Sequence, residues 1–182
     1  MAELKKIDFP GPEYREQGNR DVQKNIRVVV YGSSQPKPGS GLYEDARALG
    51  SALAGAGWTV ATGGYSGVME AVSRGAKEAG GATIGVTTAF YPAAKKNSYM
   101  DIEIRMPAYG DRLLELTRSG DAFIVMRGGS GTLAELFLTW ELEKNTSISP
   151  GPIILYGAHW RTVIGFLAGE FPEELAFSSY IG

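Results

Sequence analysis

Residues 121–140, DAFIVMRGGSGTLAELFLTW, join an apolar run to a second apolar segment through a glycine-rich loop. The run DAFIVM is typical of a short strand buried on both faces of a parallel sheet, and TLAELFLTWELEKN (132–145) has the length of a helix. Glycines let a backbone approach a ligand closely, and a helix that begins at such a loop presents unpaired N–H groups to anions. The stretch therefore predicts a strand, an anion-sized loop and a helix, in that order.

The same alternation of short apolar runs and longer segments continues on both sides. Segments of helical length that carry apolar or small residues on one face predict further helices, whereas the apolar runs predict strands. The alternation predicts right-handed βαβ units and hence a doubly wound parallel α/β sheet flanked by helices. The further strands are expected at 26–32, 58–64, 82–87, 102–107 and 152–157, and the further helices at 43–57, 66–81, 111–119 and 159–169.

Composition restricts the class of protein. A chain of 182 residues, 43% of them hydrophobic, suits one core, so we expect one domain over 25–182 preceded by a polar arm over 1–24. The net charge of −2 provides no general attraction for nucleic acid or membranes, and no apolar stretch suits a signal peptide or a membrane helix, so we expect a cytoplasmic protein. The absence of cysteine and the single histidine argue against a metal site.

Three glycine-rich loops follow predicted strands: YGSSQPKPGSG, TGGYSGVME and RGGSGTLAE. Ligands of doubly wound sheets bind where such loops leave the carboxyl ends of the strands, although tight structural turns also use glycine. The chain lacks G-x-G-x-x-G and G-x-x-x-x-G-K-[ST], which excludes an ordinary dinucleotide or P-loop site and favours a simpler phosphate ligand. The candidate phosphate- or nucleotide-binding residues are Gly32, Ser33, Ser34, Gly63, Gly64, Gly67, Met69, Arg127, Gly128, Gly129, Ser130, Gly131 and Thr132.

The motif GGSGTLAE (128–135) resembles the G-G-x-G-T-x-x-E core of the LOG (Lonely Guy) family, often labelled lysine decarboxylase-like. The segments GSS, GGYSGVM, SGDAFIVM and TW resemble the same family in order and spacing, so the resemblance covers roughly residues 26–170. It implies a Rossmann-like fold, a homodimer, and hydrolysis of nucleoside 5′-monophosphates to a free base and ribose 5-phosphate. We expect no cofactor; in particular, neither the Schiff-base lysine nor the pyridinium partner of a pyridoxal enzyme is recognisable in the sequence.

Two residues are the catalytic candidates under this resemblance. Cleavage of a C1′–N bond develops positive charge on the ribose, for which Glu135 is the candidate carboxylate. The alternative is that Thr132 and Glu135 form a helix capping box. Arg112 matches a family arginine nine residues before Asp121 and would hold phosphate or the base edge, whereas the alternative is a surface ion pair with a neighbouring acid, Asp111 or Glu115.

The sequence also departs from the family pattern. Leu113 replaces a lysine, Arg127 replaces a proline, and Thr62 and Glu70 stand at the ends of the second glycine motif. Related branches of similar sequence include nucleotide binders and molybdenum-cofactor carriers, so a carrier that does no chemistry is the alternative function. Outside the motifs we expect His159 to be a capping or surface residue, and the residues Phe137 and Trp140 to pack in the core or a dimer interface.

Overall fold

A computed structural model describes residues 26–145, 147–148, 151–171 and 179–181. The predicted arm over 1–24 lies outside the described residues. Within these ranges the strands are β1 (Arg27–Tyr31), β2 (Thr59–Thr62), β3 (Thr83–Thr88), β4 (Ile102–Met106), β5 (Ala122–Val125), β6 (Ile153–Tyr156) and β7 (Ser179–Ile181). The helices are α1 (Gly41–Gly55), α2 (Val68–Glu78), α3 (Tyr109–Ser119), α4 (Ser130–Lys144) and α5 (His159–Glu170).

The seven strands form one parallel sheet in the order β4-β3-β2-β1-β5-β6-β7. The chain moves outward from β1 to β4 and then returns to place β5 on the other side of β1. Because the loops after β1 and β5 leave the sheet in opposite directions, a crevice opens between them, and this is where doubly wound sheets bind ligands.

Helices cover both faces of the sheet. Val28 and Val30 of β1 face a cluster that includes buried residues of α1 and α2, whereas Val29 and Tyr31 face a cluster with buried residues of α3, α4 and α5. Successive side chains of a strand point to opposite faces, so both faces of β1 must be apolar. This requirement explains the continuous apolar run that predicted the strand.

The predicted fold class is confirmed. Each predicted helix and strand occurs, and the helix bounds move by no more than about three residues. The sequence interpretation did not include β7, which adds three residues beside β6 at one edge of the sheet. None of the helices in the described ranges is long and apolar enough to cross a membrane.

Candidate functional site

A cavity of about 790 Å³ opens at the carboxyl ends of the central strands, and this volume is typical of sites that hold small molecules. Its walls come from the loop after β1, the start of α2, the segment after β3, the first half of α3 and the start of α4. The lining residues are Gly32, Ser33, Ser34, Gln35, Lys37, Tyr65, Ser66, Met69, Glu70, Tyr91, Ala94, Lys95, Tyr109, Arg112, Gly129, Ser130, Gly131, Thr132 and Glu135.

The N-terminus of α4 forms one end of the cavity. The helix begins at Ser130 with Gly129 as its N-cap, and no side chain of the described residues caps it. The first N–H groups of a helix have no acceptor inside the helix, and they lie at the positive end of its dipole. Ser130, Gly131 and Thr132 therefore present donors to the cavity, as expected for an anion site.

The capping-box interpretation of Glu135 is wrong. A capping box places its acid at the third helical residue, whereas Glu135 is the sixth residue of α4 and Thr132 occupies the third position. The reason is that the helix begins two residues earlier than the sequence pattern predicts. Glu135 is therefore available for another role.

Glu135 is a buried carboxyl group with one cationic neighbour. Its side chain reaches the cavity although the residue is only 8% exposed, and Oε1 lies 3.5 Å from Nη1 of Arg112. Burial raises the pKa of Glu135 to about 7, and the charge of Arg112 opposes this rise. A carboxyl group with a pKa in this range can exchange a proton near neutral pH, as general bases do.

Arg112 is held in place by backbone and aromatic contacts. Its Nε donates to the carbonyl oxygen of Val86 at 2.8 Å, and Nη2 donates to that of Gly63 at 3.4 Å. The guanidinium carbon lies 5.6 Å from the ring centre of Tyr65, within the range of a cation–π contact. Because Arg112 is only 4% exposed, the interpretation as a surface ion pair with Asp111 or Glu115 is wrong.

The glycines of the second loop lie behind the cavity wall. Gly63, Gly64 and Gly67 are buried, and only Met69 among the candidates of this loop lines the cavity. Gly67 has φ +72°, and an added Cβ would overlap the backbone of Ser33 and Ser34. These three glycines therefore allow close packing of the backbone. They do not line the cavity, so the cavity lining does not support their predicted contact with a phosphate.

We expect Gly63→Ala to displace Arg112 and to lower the stability of the protein. A Cβ at this position would overlap the Arg112 guanidinium and also Sδ of Met69, so Arg112 must shift. Overpacking of this kind typically costs about 1–3 kcal/mol. The matched control is Gly110→Ala on α3, where a Cβ meets nothing within 4 Å. Thermal unfolding should show a lower melting temperature for Gly63→Ala alone, and equal melting temperatures would contradict the packing role.

Arg127 and Gly128 line a separate hollow of about 410 Å³ with Ser33, Gln35, Pro36 and Leu42. The Arg127 side chain is exposed, and Ser33 donates its N–H to the Arg127 carbonyl oxygen at 3.1 Å. Arg127 thus ties two loops together through its backbone, and its predicted place at the phosphate is not supported by the cavity lining.

His159 is the first residue of α5, whose N-cap is Ala158, and no side chain of the described residues caps this helix, so the capping expectation is wrong. His159 is half buried, so the expectation of a surface residue is only partly met. Burial lowers the pKa of His159, and the charge of Arg127 lowers it further. The residue is not among those that line the cavity or the hollow. The predicted packing role is met by Trp140, which is buried in the core, while Phe137 is 41% exposed and stacks on it at 6.1 Å between ring centres.

Sequence reasoning missed several lining residues as individual candidates, above all Tyr65 and Tyr109. Tyr65 belongs to the motif GGYSGVM, so its position beside a glycine pair was the available signal. Tyr91 begins the segment YPAAKKNSYM (91–100), which the sequence indicates as a variable wall of the site although it carries no readable hydrogen-bond code. Tyr109 carried no signal, because it lies at a helix start.

The fold is a Rossmann-like α/β sheet with a cavity of small-molecule size at its switch point. The model of the SLOG cluster 4 family matches residues 25–151, and the chain belongs to this LOG-like family.

Two curated relatives are similar over much of the chain. A cytokinin riboside 5′-monophosphate phosphoribohydrolase of Mycobacterium tuberculosis is 35% identical over 122 residues, which are 66% of this chain and 65% of the relative. The chain thus matches just under two thirds of that relative's length. Cytokinin riboside 5′-monophosphate phosphoribohydrolase LOG4 of Arabidopsis thaliana is 36% identical over 160 residues, covering 84% of this chain and 73% of the relative.

A solved structure is similar to a larger share of this chain than either curated relative. The molybdenum cofactor carrier protein of Chlamydomonas reinhardtii superposes with a TM-score of 0.70 at 25% identity, covering 87% of this chain and 91% of that protein. The same fold therefore occurs in relatives named for an enzymatic activity and in one named as a carrier.

Proposed function

We propose that this protein hydrolyses the N-glycosidic bond of a nucleoside 5′-monophosphate. The observation that carries the proposal is the buried Glu135 carboxyl beside Arg112, in a cavity whose end is the N-terminus of α4. The relatives named as phosphoribohydrolases support the same reaction class.

The two ends of the cavity suit the two ends of such a substrate. The phosphate would accept hydrogen bonds from the N–H groups of Ser130, Gly131 and Thr132. Glu135 lies five residues after Ser130, so the helical rise separates the two by about 7.5 Å along the helix. This separation leaves room for the ribose, which carries the phosphate on its C5′ and the base on its C1′.

The reaction replaces a C1′–N bond with a C1′–O bond. As the base leaves, positive charge develops on the ribose, and the Glu135 carboxylate stabilises it. The C1′–N bond breaks and the oxygen of a water molecule bonds to C1′. Glu135 accepts one proton of that water, and this proton then passes to the departing base nitrogen, which regenerates the carboxylate. The products are the free base and ribose 5-phosphate. Arg112 orients Glu135 and keeps part of its population ionised at neutral pH.

Incubation with adenosine 5′-monophosphate (AMP) tests the activity, with chromatography to detect free adenine and ribose 5-phosphate. We expect both products in equal amounts. Tight binding of AMP without either product would reject the hydrolase and favour a carrier.

A carrier of a phosphate-bearing cargo is the second candidate. The likeness to the Chlamydomonas carrier covers 87% of this chain, and the sequence departs from the family pattern at Thr62, Glu70, Leu113 and Arg127. Mass spectrometry of ligand retained on purification distinguishes the two, because a carrier would retain its cargo whereas a hydrolase would release its products.

Phosphate anchoring should dominate affinity. We expect AMP to bind roughly 100-fold more tightly than adenosine, because hydrogen bonds to a charged group contribute about 1.5–3 kcal/mol each. Isothermal titration calorimetry of the Glu135→Gln variant measures both affinities without turnover. Similar affinities for the two ligands would contradict the assignment of the α4 N-terminus as the phosphate site.

A further inference from the structure

Three tyrosines from separate segments form one wall of the cavity. Tyr65 precedes α2, Tyr91 follows β3, and Tyr109 begins α3. We call these three residues the aromatic wall. Tyr91 lies 6.1 Å from Tyr65 and 5.8 Å from Tyr109 between ring centres, and both pairs meet edge to face. The wall is therefore a continuous aromatic surface.

Tyr65 is rigidly placed within this wall. Its hydroxyl donates to the Thr88 carbonyl oxygen at 3.1 Å and accepts the Thr88 N–H at 2.9 Å. The hydroxyl thus already has a donor and an acceptor, and what Tyr65 offers a ligand is its ring. The same ring contacts the Arg112 guanidinium, so the wall adjoins the pair of Arg112 and Glu135.

Tyr91 exposes apolar surface at the mouth of the cavity. It is 40% exposed, and Phe90 beside it is 62% exposed, with 5.1 Å between the two ring centres. Phe90 also contacts Tyr109 at 5.8 Å, so it supports the wall from outside. Clustered aromatic surface next to a cavity is unfavourable in water and typical of a place where a ligand covers it.

We propose that the aromatic wall binds the planar heteroaromatic ring of the ligand by ring contact. This inference rests on the proposed function, since it assigns the base of the nucleoside monophosphate to this wall. Aromatic faces accept any base, because every base has a π-face, whereas hydrogen bonds to base edges select one. The wall therefore makes the site tolerant of the base and dependent on the presence of a ring.

The test compares AMP, cytidine 5′-monophosphate and ribose 5-phosphate as ligands, with calorimetry in the Glu135→Gln background to prevent turnover. In the protein with an intact wall, both nucleotides should bind at least 10-fold more tightly than ribose 5-phosphate. Tyr91→Ala should weaken both nucleotides roughly 5- to 100-fold and change ribose 5-phosphate less than 2-fold. Tyr91→Phe keeps the ring and should restore nucleotide affinity.

Phe166→Ala is the matched control, because Phe166 is an exposed aromatic residue on α5 that does not belong to the cavity lining. It should change none of the three affinities. Equal weakening of all three ligands by Tyr91→Ala would overturn the proposal, as would unchanged nucleotide affinity. If Tyr91→Ala unfolds, the three ligands are compared in the protein with the intact aromatic wall. Equal affinities of AMP, cytidine 5′-monophosphate and ribose 5-phosphate there would reject ring binding.

These outcomes are separable from the reaction. If binding depends on the ring and the wild-type protein releases no adenine, ring binding by the aromatic wall is supported and the hydrolase is rejected. Release of adenine together with equal binding of ribose 5-phosphate and AMP would keep the hydrolase and reject the wall.

Discussion

Glu135→Gln is expected to lower the turnover of AMP about 100-fold or more while leaving nucleotide binding within a few-fold of the wild type. The substitution keeps the size of the side chain and removes the negative charge that stabilises the ribose cation. Loss of one group that stabilises transition-state charge typically costs about 2.7–4 kcal/mol. Initial rates of adenine release and calorimetry of AMP measure the two effects separately.

The same variant should fold at least as stably as the wild type above neutral pH. Because burial raises the pKa of Glu135 to about 7, the folded protein holds this proton more tightly than the unfolded chain. The stability that Glu135 contributes is therefore full below about pH 4.5 and is lost as the pH rises through 7. Glutamine does not titrate, so the variant should lose less stability than the wild type between pH 5 and 8.

Urea unfolding at pH 5 and pH 8 measures this difference, which should reach roughly 2 kcal/mol. Glu143, whose pKa burial also raises to about 7, titrates in both proteins and cancels in the comparison. Glu141→Gln on the exposed side of α4 is the control and should alter neither turnover nor the pH trend. Full activity of a folded Glu135→Gln variant would remove Glu135 from the mechanism.

Arg112→Met is expected to move the pH dependence of turnover upward and to destabilise the protein by about 3–5 kcal/mol at pH 8. The charge of Arg112 lowers the pKa of Glu135, so its removal leaves a buried carboxylate without a counter-charge. In the wild type, kcat/KM should rise with pH to a plateau with a midpoint near 7. In Arg112→Met the midpoint should lie at least one pH unit higher.

The substrate phosphate also ionises, near pH 6, but it does so identically for both proteins. The difference between their midpoints therefore reports Glu135. The double variant Arg112→Met/Glu135→Gln provides the second measurement, because it removes both charges. We expect it to recover part of the stability at pH 8 without recovering turnover. Additive losses in the double variant, together with an unmoved midpoint, would show that the two side chains do not interact.

The sequence by itself determined the fold class and indicated where a candidate site would lie in the fold. The run RVVVY of β1 is apolar at every position because helices cover both faces of the sheet, and period-free apolar runs of this length predict central parallel strands. Glycine-rich loops after β1 and β5 marked the switch point, since tight turns and close backbone approach leave a signal in local composition. Glu135 and Arg112 became candidates through the resemblance to the LOG family.

Local patterns did not determine where α4 begins. The spacing of Thr132 and Glu135 fits a capping box, but the helix starts at Ser130 after the Gly129 N-cap. Helix starts depend on which backbone groups the surrounding loops leave unpaired, and loop packing is not encoded within four residues. The short strand β7 escaped prediction for a related reason, because its pairing with β6 is a contact between distant segments.

Only the tertiary structure decided what each candidate touches. Arg112 and Glu135 lie on different helices and approach to 3.5 Å; burial raises the pKa of Glu135, and the charge of Arg112 opposes this rise. The missing side chain of Gly63 leaves room for the Arg112 guanidinium. The rings of Tyr65, Tyr91 and Tyr109 come together from three separate segments. Burial, desolvation and ring contact are properties of groups brought together by the whole fold, so a one-dimensional pattern identifies the residues but not their contacts.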